Sequence, residues 1–172
     1  SLRRNIAVVL QDVFLFADTI ANNISLRDES ISLESIEEAA KQIGVHEFIS
    51  SLPGGYQYNV KERGAMLSSG QRQLIAFLRA YLSNPSILVL DEATSSVDTY
   101  SEQLIQKATE KVTSGRTSII IAHRLATVKK ADKILVMDAG RILESGTHKE
   151  LLKKGGYYNK LYEAQFLAEE VA

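Results

Sequence analysis

Cysteine is absent from this 172-residue chain. That excludes disulfides, thiol catalysis and a Cys-ligated metal site, and it fits a reducing compartment. A surplus of one charge is also absent. Twenty Lys and Arg stand against twenty-one Asp and Glu, a net charge of −1, so no general basic field draws the chain to nucleic acid. No apolar run approaches the roughly 18 residues that span a bilayer. No leader-like segment opens the chain, which begins with Ser1 rather than Met; we therefore expect it to be part of something longer. What is present is an ordinary soluble composition, 45% apolar and 24% charged, in a chain long enough for one domain with a real core.

Short β-branched runs alternate with longer helical patterns. Asn5–Leu10, Ile87–Leu90, Thr117–Ile121 and Lys133–Met137 are continuous apolar runs of strand length. Such runs suit a parallel sheet covered on both faces. Arg141–Glu144 follows the last run across Ala139-Gly140, which predicts an edge hairpin. Leu33, Ile36, Ala39, Ala40 and Ile43 make a helical stripe that Gly44 ends. Leu74, Leu78, Tyr81 and Leu82 make a second, stopped by Asn84-Pro85. Leu104, Ile105, Ala108 and Val112 make a third, with Asp98 as N-cap and Gly115 beyond its end. Thr147 and Glu150 have capping-box spacing, and Tyr157–Phe166 is a last amphipathic helix. The alternation predicts an α/β fold with a parallel sheet. A helical insertion, about residues 12–83, divides the α/β core portions at 1–11 and 84–172.

Several polar residues stand where such a sheet places chemistry. Asp91 and Glu92 directly follow an apolar strand, and ligands sit at the strand ends of a parallel sheet. One carboxylate there can hold a hydrated Mg²⁺ while the next orients a water. The plain alternative is a turn cap beside an exposed acid. Leu67-Ser-Ser-Gly-Gln-Arg-Gln73 precedes a helix. Its hydroxyls, Gly70 and the free N–H groups of a helix start suit an anion, although ordinary serine capping would explain the same residues. His123 and Gln11 each end an apolar run; alone, either would be set aside as structural. His46 and His148 read as surface residues. Together, Gln11, Asp91-Glu92 and His123 share the end of one sheet, with a serine–glycine helix start between the first two.

With those motifs in place, the sequence resembles the nucleotide-binding domain of an ATP-binding cassette (ABC) transporter, over essentially its whole length. Leu67–Gln73 is similar to the family signature, with Ser69 where Gly is commoner. Ile87–Glu92 is similar to the Walker B strand and its glutamate. Ser95-Ser96-Val97-Asp98 resembles the D-loop, with Val97 where many members have Leu. Gln11 matches the Q-loop glutamine and His123 the switch histidine. Val60–Gly64, Gly146–Leu151 and the Tyr157–Phe166 helix resemble exporter segments.

The resemblance implies an incomplete P-loop NTPase (RecA-like) core with an inserted α-helical subdomain. It implies an ATPase using ATP and Mg²⁺. Two such domains, as a homo- or heterodimer, would sandwich ATP at the cytoplasmic face of a membrane, held there by a transmembrane domain, and would couple hydrolysis to substrate transport. Glu92 would polarise water, Asp91 would hold the metal, Gln11 would sense it and His123 would meet the γ-phosphate. Ser68, Ser69, Gly70 and Gln71 would face ATP on the opposite chain, and Asp98 would cross the interface. One departure counts against activity of the chain by itself. None of its ten glycines is followed by Lys, so it has no G-x-x-x-x-G-K-[ST] phosphate loop. It thus resembles the C-terminal part of the domain. In the family the phosphate-loop strand lies between the strand before His123 and Ile134–Met137. Its loss would leave a gap, to be closed, filled by strand exchange or covered by other chains. Two alternatives stay open: a short non-catalytic partner lending its signature, and a soluble ABC ATPase outside transport.

Overall fold

A computed structural model describes residues 5–92 and 99–165. The chain divides into two units, one running to Ile121 and one starting at Ala122.

In the first unit, β1 (Ile6–Val9), β2 (Ile87–Asp91) and β3 (Thr117–Ile121) form a parallel sheet in the order β1-β2-β3. The register places Val8 opposite Val89, and Val89 opposite Ile119. Alternate residues therefore share faces. Val9, Leu88 and Leu90 point to the buried side. They join one core with Leu74 and Leu78 of α4 (Ser69–Leu82) and with Ile105, Ala108 and Val112 of α5 (Thr99–Thr113). Coverage of both faces, expected from the apolar runs, is not found here: Val8 is 56% and Ile119 57% exposed. The core helices of this unit pack on one side, so the continuous apolar pattern records two hydrophobic faces of which one is covered.

Between β1 and β2 run α1 (Ile20–Ser25), α2 (Leu33–Ile43), α3 (His46–Ser51) and α4. Ser32 caps α2 by accepting from the Ser35 N–H, and Gly44 closes it in the left-handed region at φ 82°. This is the start and stop read from the sequence. Segment 56–60 is strapped to the start of α1 and the residues just before it. Ile20 N–H donates to Tyr58 O at 2.9 Å and Val60 N–H to Asp18 O at 3.0 Å.

In the second unit, α6 (Leu125–Lys130) precedes the hairpin of β4 (Ile134–Asp138) and β5 (Arg141–Gly146), followed by α7 (His148–Lys154) and α8 (Tyr157–Gln165). Ala139 and Gly140 both have positive φ, 45° and 75°. Two such residues are what a twist-matched two-residue hairpin turn requires. A bulge leaves Leu143 between the Val136–Glu144 and Met137–Ile142 pairs. Val136, Leu151, Tyr158 and Tyr162 form a small separate core. β4 and β5 form a two-stranded antiparallel sheet of their own.

Candidate active site

Parallel register brings two of the expected sites to one edge. Val9 pairs with Leu90, so Gln11 and Glu92, each two residues further on, leave the sheet together. Asp91 is half-buried at the end of β2 and Gln11 is exposed. Glu92 is buried, at 4% exposure. Its backbone N–H donates to Ile121 O at 3.1 Å, continuing the ladder past β2. The pair is thus a buried carboxylate beside a more open one at a strand end. Among the described residues no group of three or more His, Asp or Glu could enclose a metal ion.

His123, in the second unit, is exposed two residues past the end of β3. Asp98 and the neighbouring Ser95, Ser96 and Val97 lie outside the described residues, as does the N-cap expected at Asp98.

The start of α4 is a separate site. Ser68 Oγ accepts from the Gln71 N–H at 3.2 Å, while the Ser68 N–H donates to Gln71 Oε1 at 3.0 Å. This closes a full capping box. The capping interpretation of these residues is therefore correct: the box occupies the Ser68 and Gln71 N–H groups. Ser68 is exposed, Ser69 and Gln71 are half-buried, and Gly70 is buried. The end of α4 lies four residues before β2, and its 14 residues extend about 21 Å.

Just upstream, Lys61, Arg63 and Gly64 all have positive φ, 60°, 53° and 68°. At Gly64 a Cβ would come within 2.8 Å of Leu15 Cδ1. Leu15 is fully buried, so this glycine seats the loop that follows Gln11.

The same loop is held by two residues that motif reading overlooks. Arg79 Nη1 donates to Phe14 O at 2.9 Å, its Nε to Asn23 O and its Nη2 to Asn23 Oδ1 at 3.0 Å. Asn23 Nδ2 donates to Phe16 O and Thr19 O, both at 3.0 Å, and its Oδ1 accepts from the Phe16 N–H at 2.8 Å. Burial pushes the Arg79 guanidinium below its ordinary pKa, yet Arg stays charged in proteins. The available signal was a lone cation inside the apolar Leu74–Leu82 stripe.

His46 and His148, read as surface residues, are both half-buried. His46 Nδ1 bonds Tyr56 Oη at 2.9 Å, and His148 Nδ1 bonds Tyr158 Oη at 2.7 Å. Burial first, then the Glu37 charge, pushes the Tyr56 phenol up to about 12. In the second unit, buried Glu144 accepts from the Tyr158 N–H at 2.8 Å and pairs with Lys154 at 3.3 Å. The Tyr158 bond first, then Lys154, holds its carboxyl below the usual range.

These features agree with the relatives. The ABC transporter family model matches residues 1–95. "Uncharacterized ABC transporter ATP-binding protein YknU" of Bacillus subtilis is 53% identical over 166 residues, 96% of this chain and 28% of the relative. An "ATP-dependent lipid A-core flippase" of Saccharophagus degradans is 52% identical over 166 residues, again 96% and 28%. The solved structure of a bacterial Atm1-family ABC exporter with ATP bound superposes with a TM-score of 0.84 at 43% identity. It covers 95% of this chain and 29% of that one. The chain thus spans 28% of the length of these curated relatives. An α/β fold of the P-loop NTPase class, the site edge and the family match agree: this chain belongs to the ABC transporter family.

Proposed function

We propose that this chain is part of the ATP-hydrolysing motor of an exporter-type ABC transporter. The observation that carries it is the carboxylate pair at the end of β2, Asp91 half-buried and Glu92 buried, with Gln11 leaving the same sheet edge. Asp91 and Gln11 are the residues toward Mg²⁺, and Glu92 orients and polarises the attacking water. His123 is the donor toward the γ-phosphate. Ser68, Ser69, Gly70 and Gln71 present the α4 start, with its positive dipole end, to nucleotide on an opposing cassette; Asp98 belongs to that interface. Bound Mg²⁺ supplies charge neutralisation at the phosphates. Residues 12–83 form the helical subdomain, and 1–11 with 84–172 the core portion.

The partners are a second cassette and a transmembrane domain, at the cytoplasmic face of a membrane. No nucleic acid is a partner. Among the described residues no helix is long and apolar enough to cross a membrane. The residues present fit the metal and water side of the reaction. They do not supply the phosphate cradle, since no glycine precedes a lysine. A polypeptide of this sequence alone is therefore inactive.

Glu92→Gln in the full-length protein tests the reading. ATP turnover falls by about 100-fold or more, while nucleotide binding persists. Turnover within a few-fold of wild type removes Glu92 from this role and the reading with it.

A further inference from the structure

A loop of ten residues, Leu10–Thr19, joins β1 to α1 and carries Gln11 near its start. A loop of this length is mobile unless something ties it. Leu15 ties it once, buried against Gly64. The rest of the tie is polar. Arg79 reaches Phe14 O, and Asn23 grips Phe16 at both its N–H and its carbonyl while also accepting from Arg79. Asn23 is 1% exposed, so the centre of this network is buried, while Arg79 is half-buried. The oxygens that Arg79 contacts are all amide oxygens, two from backbone carbonyls and one from Asn23. A half-buried cation held by amide oxygens alone gains little stability over an apolar residue of similar volume. What the guanidinium does provide is geometry: its rigid fork reaches Phe14 and Asn23 at once, which fixes where the loop sits.

α4 carries Arg79 eleven residues after Ser68, about 16 Å along the same helix. We infer that Arg79 and Asn23 are positioning residues that lock the Gln11 loop to α4, so that the loop and the Ser68–Gln71 start move as one body. This rests on the proposed ATPase role of those two sites. Neither Arg79 nor Asn23 touches nucleotide in this scheme; they act through Gln11.

The test uses full-length protein in membranes, with Glu92→Gln run alongside. Wild-type Phe16 N–H, which donates to Asn23 Oδ1, exchanges with solvent as slowly as the amides of α4. Arg79→Lys keeps the charge but lacks the fork. Asn23→Asp keeps the acceptor but turns a carboxylate oxygen toward Phe16 O and Thr19 O. Each variant speeds Phe16 exchange about tenfold or more, and lowers kcat per folded molecule by about tenfold with KM for ATP changed less than about twofold. The double variant falls no further than the lower single, because both cut one linkage. The Hill coefficient for ATP moves toward 1. Fast Phe16 exchange in wild type overturns the inference without any variant. So does faster exchange with kcat per folded molecule unchanged. If Glu92→Gln also retains turnover, the ATPase reading fails separately, and Phe16 exchange alone decides whether the loop is locked.

Discussion

The starts of α4 and α7 are built by the same device and set in opposite surroundings. Ser68 and Gln71 close one capping box; Thr147 and Glu150 close the other, with the Thr147 N–H donating to Glu150 Oε2 at 2.8 Å and Thr147 Oγ1 accepting from the Glu150 N–H at 3.3 Å. Behind the first lies the large core of the sheet unit, from Val9 to Val112. Behind the second lies a core of four buried residues, Val136, Leu151, Tyr158 and Tyr162, braced by Glu144. A cap therefore says where a helix begins and nothing about what it serves. Context supplies the role: α4 also holds the Gln11 loop through Arg79, whereas α7 closes onto its own hairpin and α8.

The largest contrast is in the cores. Leu74→Ala, in α4, should cost about 3–5 kcal/mol and Leu151→Ala, in α7, about 2–3 kcal/mol, because a small cluster collapses into the space more readily. Amide protection of the two helices measures both. Equal losses would mean the smaller unit is as tightly packed as the larger.

A smaller effect probes the brace in the second unit. A Cβ on Gly156 would sit 1.9 Å from Glu144 Oε1. Gly156→Ala should displace that carboxylate, break its bond to the Tyr158 N–H and cost about 1–3 kcal/mol. Loss of protection confined to α7 and α8 is the expected result.

Acid separates the two capping boxes. Glu150 is held below the usual carboxylate range, first by the Thr147 N–H, and Glu144 likewise, first by the Tyr158 N–H. Their folded pKa values are depressed, so the stability they contribute is present above the ordinary value of 4.5 and lost as pH falls through the folded values. Gln71 has no titration. On acidification protection should fade at α7 before α4, and Glu150→Gln should flatten that dependence.

Much of this was legible in the sequence because the signals were local. The apolar runs at Ile87 and Thr117 became strands within a residue, and Gly44, Asn84-Pro85 and Thr147 set helix ends where expected. The short helices α1, α3 and α6, of six residues each, carry too few turns to show a period. Nonlocal pairing was not legible at all. Arg79 and Asn23 lie 56 positions apart, and His46 and His148 gain their tyrosine partners only through folding. The uncovered sheet face has the same cause, since an apolar run does not state what packs on it. The Asp91-Glu92 pair and the α4 start could be picked as candidates because their motifs lie in neighbouring positions of the sequence.

The most direct measurement compares Ser68→Ala with Thr147→Ala in the full-length protein, as ATP turnover per folded molecule. Each should cost about 1 kcal/mol of local stability. If the α4 start serves nucleotide, Ser68→Ala lowers turnover by about 100-fold and Thr147→Ala by less than about twofold. Equal, small losses in both variants would contradict the account, because the α4 start would then be a structural cap like that of α7.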